Sequence, residues 1–172
     1  MDKKPVGQYE RHIRLYHKLL GSHAYNALDY SSKALLIELR YKLNGSNNGN
    51  LSATLSELKK RGWASAATLS KALRQLEAVG ILRKTRKTVG VSAGSKFCNL
   101  YRFTDLECFE FKRLSIDPSK PTHDYLAFKT LEAARAAVAA ATPAKIKRTV
   151  QKMEHSVTET ESHSQSIDAD CE

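Results

Sequence analysis

The residues best suited to chemistry are two cations and a set of small side chains on one stretch, SAATLSKALRQLEAV. If residues 65–79 form a helix capped by Ser65, then Leu69, Leu73 and Leu76 make one face. Ala66, Ala67, Ser70, Lys71 and Arg74 make the other, and Thr68 completes the first turn. Small residues at a helix start allow it to enter the major groove of a duplex. Lys and Arg further along then reach guanine edges or phosphates. A second group of cations, Lys84, Arg86, Lys87 and Lys96, brackets a glycine-punctuated stretch and suits phosphate or minor-groove contact. In a regular strand Arg83 and Arg86 point to opposite faces, so only some of these cations can meet one duplex. The competing readings are a solvated amphipathic face for the helix, and edge-strand lysines that block aggregation for the hairpin.

Other chemistries lack a signal. Cys98 and Cys108 are too far apart for a local ligand pair, and no CxxC occurs. His12, His17, His23 and His123 are scattered. There is no GxGxxG, P-loop or nucleophile elbow. The expectation is a non-enzyme with no metal and no cofactor. Trp63 reads as core packing, and Tyr101 and Phe103 as sheet packing around an exposed Arg102.

Charge narrows the partner. The chain has 172 residues with a net formal charge of +10, and its acids crowd the end. Residues 1–153 carry 28 − 12 = +16, and the remainder carries −6. So basic a body favours a polyanion through counterion release. Within 54–104 there are 11 Lys or Arg against two Glu. No apolar run approaches a membrane span. The opening MDKKPVGQYERH has no apolar run after its lysines and reads as no secretory signal. With three cysteines, one is unpaired in any disulfide scheme, so reduced thiols in a cytoplasm, near the nucleoid, are expected.

These side chains need elements to position them. Ser22 to Leu28 suits a short helix capped by Ser22. Ser31-Ser32 precedes KALLIELRYKL, a mostly buried helix on Leu36, Leu39 and Leu43. NGSNNGN at 44–50 has linker composition, but Asn and Gly also tolerate the positive φ of a tight reversal. It is read as a turn inside one unit. Leu51-Ser52 allows a minimal strand. Thr54 caps a helix through Arg61, with Glu57 at capping-box spacing and Gly62 as its stop. After the helix at 65–79 and Gly80, ILRKTR and LYRFT read as strands flanking a loop.

The order of helices, turn, helix and hairpin, with SELKKRGWASAATLSKALRQLEAVGIL at its centre, resembles the winged helix-turn-helix of GntR-like and MarR-like regulators. It is also similar to DNA-binding domains of some phage and plasmid replication proteins. The shared features are Ser65, Thr68, Leu69, Lys71, Leu73, Leu76 and Gly80-Ile81. A closer likeness is to poorly characterised helix-turn-helix proteins of phages and mobile elements. Those carry an Asn-Gly-rich segment before the motif and a Thr-(His or Asn)-(Asp or Glu)-aromatic segment after it, as in Thr122-His123-Asp124-Tyr125. The likeness covers about residues 20–104 and implies binding to double-stranded DNA.

The expected fold is therefore α+β, mainly α: a winged helix-turn-helix with a helical C-terminal extension and a disordered acidic tail. The divisions are a flexible 1–12, the DNA-binding domain at 13–104, a connecting loop at 105–123, a helical extension at 124–153 and the tail at 154–172. Thr122 is the expected cap of a helix running to about Ala141. Its stripe of Leu131, Ala134, Val138 and Ala141 suggests a homodimer seam. The favoured function is sequence-specific transcriptional regulation. The alternatives are a replication-initiation or plasmid-maintenance protein, and a protein-interaction module that binds no DNA and works through 124–141.

Overall fold

A computed structural model describes residues 12–86 and 98–142. The chain is α+β. Among the described residues there are six α-helices and one three-stranded antiparallel sheet. The helices are α1 (His17–Leu20), α2 (His23–Asn26), α3 (Tyr30–Tyr41), α4 (Leu55–Leu58), α5 (Ala66–Ala78) and α6 (Leu131–Ala141). The strands are β1 (Leu51–Ser52), β2 (Leu82–Arg86) and β3 (Leu100–Phe103). β3 is central, in the order β1-β3-β2. β2 pairs with it from Leu82 opposite Phe103 to Lys84 opposite Tyr101. A bulge then sets Arg86 opposite Leu100.

Side-chain caps fix where most helices start. Ser22, Thr54 and Ser65 accept from the backbone N–H groups of Tyr25, Glu57 and Thr68, each as the sequence predicts. α4 continues as a tight 3-10 turn over Lys59–Arg61 and stops at Gly62. Two starts differ. α3 is capped by Asp29, which accepts from Ser32 N–H, so Ser31 and Ser32 lie inside the helix. α6 is capped by Thr130, not Thr122. Thr122 and His123 instead donate their backbone N–H groups to the Thr104 carbonyl, and His123 adopts left-handed φ. Only a 3-10 turn, Asp124–Ala127, forms there.

One core joins these parts. Leu35, Leu36 and Leu39 of α3 meet Leu69, Ala72 and Leu76 of α5, with Leu82, Phe103 and Tyr125 closing the far side. Gln75 is the polar tie between helices. Its side-chain oxygen accepts from the buried Ser32 hydroxyl at 2.7 Å. At the other end of α3, Arg40 donates to Asp105 at 2.5 and 2.6 Å and lies 4.0 Å over the Phe103 ring.

NGSNNGN is a shaped turn. Asn44 and Asn47 close it on themselves, through Ser46 N–H to Asn44 and Asn44 N–H to Asn47. Asn48 is 3% exposed and fastens it to the sheet. Its amide oxygen accepts from Phe103 N–H at 2.7 Å. Its amide nitrogen lies 3.0 to 3.1 Å from the carbonyls of Phe103, Leu106 and Glu107. Gly49 follows at φ +108, where a Cβ would stand 2.5 Å from Cys108 Sγ. Only glycine fits that approach.

The predicted connecting loop at 105–123 is more than a connection. Its backbone folds back in isolated bridges, Cys108 to Ser119 and Phe111 to Ile116. Cys108 and Ile116 form a small apolar cluster with Leu100. Two of the four residues of the predicted α6 seam, Ala134 and Val138, face the protein's own core. α6 packs on α2 and α5, with Ala134 fully buried and Val138 against the core. The predicted flexible stretch (to residue 11), the wing tip at 87–97 and everything after 142, tail included, lie outside the described residues.

Candidate nucleic-acid interface

α5 divides into two faces. Leu69, Ala72, Gln75 and Leu76 are buried. Ser65, Ala66, Ala67, Thr68, Ser70 and Arg74 are exposed, and the Lys71 side chain is 41% exposed. Helical geometry sets Ala67, Ser70, Lys71 and Arg74 on the side away from the core. The Ser65 hydroxyl is occupied by the cap, 3.3 Å from Thr68 N–H. The remaining exposed groups of this face are small, except the two cations. Beside it, Ala66 and Ser70 join Leu55, Cys98 and Tyr101 around a groove of about 280 Å³ between α5 and the sheet.

Four cations of this region are held by acids. Lys71 Nζ is 2.8 Å from Asp29, the cap of α3. Lys84 Nζ is 2.9 Å from Glu77 on α5. Arg83 faces Arg102 across the strands, and Asp124 accepts from Arg83 at 2.7 Å. Arg86 is half-buried and donates to the Cys98 carbonyl at 3.2 Å. Arg61 is bound to Glu38 and stacks on Tyr41. Lys87 and Lys96 lie outside the described residues. Arg74, Lys59 and Lys60 are exposed and make no ion pair among the described residues.

The structure therefore brings the α5 residues onto one face. It turns Lys84 toward α5 and sets Arg86 against the Cys98 carbonyl, two residues before β3. Sequence reasoning gave no role to Lys59 and Lys60, which sit one turn before the helix-helix corner. Their exposure follows from the apolar face of α4, since Leu58 takes the core position. Asp29 and Glu77 as counter-charges were also missed, because Asp29 is 42 residues from Lys71, and Glu77 and Lys84 lie on different elements, α5 and β2.

The electrostatics are moderate. Burial works to raise the Asp29 carboxyl, but Lys71 and the Ser32 groups outweigh it and bring it down to about 2. Asp124 is drawn down by Arg83 against a burial effect of opposite sign. Burial, helped by the Glu77 charge, pushes the Tyr101 phenol up to about 12 and keeps it neutral beside the groove. Burial likewise raises the Cys108 thiol, which suits a packing residue rather than a nucleophile. Among the described residues no group of three or more His, Cys, Asp and Glu is placed to hold a metal ion. No helix among them is long and apolar enough to cross a membrane.

Comparison with family models, curated proteins and solved structures returns no match to this chain.

Proposed function

We propose that the chain is a winged helix-turn-helix protein that binds double-stranded DNA sequence-specifically, as a transcriptional regulator of a bacterium, phage or mobile element. The observation that carries this reading is the outer face of α5. It is exposed along the helix and small in its first turns, then cationic at Lys71 and Arg74, with the opposite face built into the core. A helix of about 11 Å diameter with such a face fits a groove about 12 Å wide. Lys59, Lys60 and Lys84 border it and take phosphates. The β2–β3 hairpin follows α5 directly, as the wing of such a fold does.

The acids do not oppose this. Exposed ion pairs are worth roughly 0–1 kcal/mol, so a phosphate competes successfully with Asp29 or Glu77 for its lysine. Arg86 is the weaker candidate, since it is half-buried and donates to the Cys98 carbonyl. Origin binding in replication or plasmid maintenance would use the same face. The deciding experiment is selection of bound fragments from random and genomic DNA at two salt concentrations. A single enriched motif in one or two half-sites supports a regulator, and arrayed repeats support an origin binder. No enrichment and no salt-dependent binding would leave the interaction module as the better reading.

A further inference from the structure

The outer face of α3 carries an apolar stripe on which no other apolar residue packs among the described residues, though the Arg61 guanidinium lies 4.4 Å over the ring at its end, Tyr41. Tyr30 is 90% exposed, Ile37 38% and Tyr41 50%, and Ala34 lies between them. The spacing is four, three, four, which places all four on one line. They lie opposite the buried Leu35, Leu36 and Leu39. This is the seam spacing of a two-stranded coiled coil, with Tyr30 and Ile37 in one set of core positions and Ala34 and Tyr41 in the other.

The flanks specify the occupant. Lys33 borders the seam on one side and Glu38 on the other, five residues later. In a parallel pair, residues so placed meet across the interface, Lys33 of one copy to Glu38 of the other, twice by symmetry. In an antiparallel pair each would face its own kind. Lys33 is already set beside the seam, its ammonium 5.0 Å from the Tyr25 ring and 5.9 Å from the Tyr30 ring. Glu38 is steadied by Arg61, a surface pair that still leaves carboxylate capacity. The stripe shares no residue with the exposed face of α5.

We propose that α3 pairs in parallel with α3 of a second copy of this chain, through Tyr30, Ala34, Ile37 and Tyr41 and the Lys33–Glu38 cross-pairs. The inference goes beyond the DNA reading and does not depend on it. α3 is only about 18 Å long, so the association is weak and concentration-dependent.

The test is sedimentation equilibrium of the full chain without DNA, over a concentration series. The mass is expected to rise from the 19.2 kDa of one chain toward twice that value. Ile37→Asp should abolish the rise. In an Arg61→Ala background, which removes the like charge that a lysine at position 38 would otherwise meet in its own chain, Lys33→Glu or Glu38→Lys alone should weaken association about tenfold by turning two attractions into repulsions, and the double swap should restore it. Circular dichroism checks that each variant folds. A wild-type mass that stays at one chain, or a dimer indifferent to Ile37→Asp, overturns the proposal. A double swap that fails to recover overturns the parallel arrangement. Because no DNA is present, failure here leaves the nucleic-acid reading standing.

Discussion

Lys71, the central cation of the α5 outer face, is held 2.8 Å from Asp29, the residue that caps α3. One carboxylate thus starts one helix and restrains the side chain expected to read DNA from another. Asp29→Asn keeps a good capping oxygen and removes the charge. It should tighten binding to any duplex by up to about fivefold, the worth of one exposed ion pair. Fluorescence anisotropy at low salt measures this, and unchanged affinity would mean that Lys71 stays away from the duplex.

The same pair predicts a pH response. The folded carboxyl sits at about 2, below its ordinary value of 3.8. A depressed carboxyl stabilises the fold fully above the unfolded value and loses that contribution as pH falls toward the folded one. Wild type should therefore lose stability relative to Asp29→Asn between about pH 4 and pH 2. Chemical unfolding midpoints across that window test it. Parallel curves for the two proteins would remove the pair as a source of acid sensitivity.

Lys71→Ala with Arg74→Ala should abolish preference among sequences. Both side chains are at least partly exposed and leave the Leu69, Ala72 and Leu76 face intact, so the melting temperature should hold within a few degrees. Each lost base contact costs about 1–3 kcal/mol of discrimination. Competition binding between a selected site and scrambled DNA reads the loss. Retained specificity would assign recognition to another element.

Legibility in the sequence followed the range of the interactions. α5 and the strands could be read because cap, apolar period and glycine stop all lie within a few residues of each other. α3 was readable as a helix, but its start was not. Ser31, Ser32 and Asp29 are all good caps, and the choice is made by Asp29 itself, whose backbone N–H is 3.4 Å from Gln75, 46 residues away. The fold of 105–123 rests on two single-residue bridges, which have no periodicity to detect. Thr122 had the local look of a cap, yet the Thr104 carbonyl draws its backbone out of helical geometry. At the site, the helix face was foreseeable and the acidic partners of its cations were not.

Asn48 decides whether 44–50 is a turn or a tether. Its amide meets four backbone groups after and within β3, so Asn48→Ala strands buried donors and acceptors. A loss of roughly 3 kcal/mol is expected, from the cost of leaving several such groups unpaired. Asn48→Asp should be at least as harmful, since a carboxylate cannot donate to the carbonyls of Phe103, Leu106 and Glu107. Urea unfolding of the three proteins provides the comparison. A near-neutral Asn48→Ala would return the segment to the status of a linker.

Arg40 and Asp105 bind the end of α3 to the exit of β3 with side chains only 2% and 3% exposed. Such a pair has surrendered hydration on both ions, and its attraction largely offsets that cost. Removing one partner strands the other charge. Asp105→Asn should therefore destabilise the fold by about 3–5 kcal/mol. Replacing both, as Arg40→Met with Asp105→Leu, should recover most of that loss, because Met can keep the packing on Phe103 without a charge to satisfy. Thermal unfolding of the single and double variants provides the comparison. If the double variant is as unstable as the single one, the guanidinium contributes through its own contacts, the Phe103 ring above all, and not mainly as a counter-ion to Asp105.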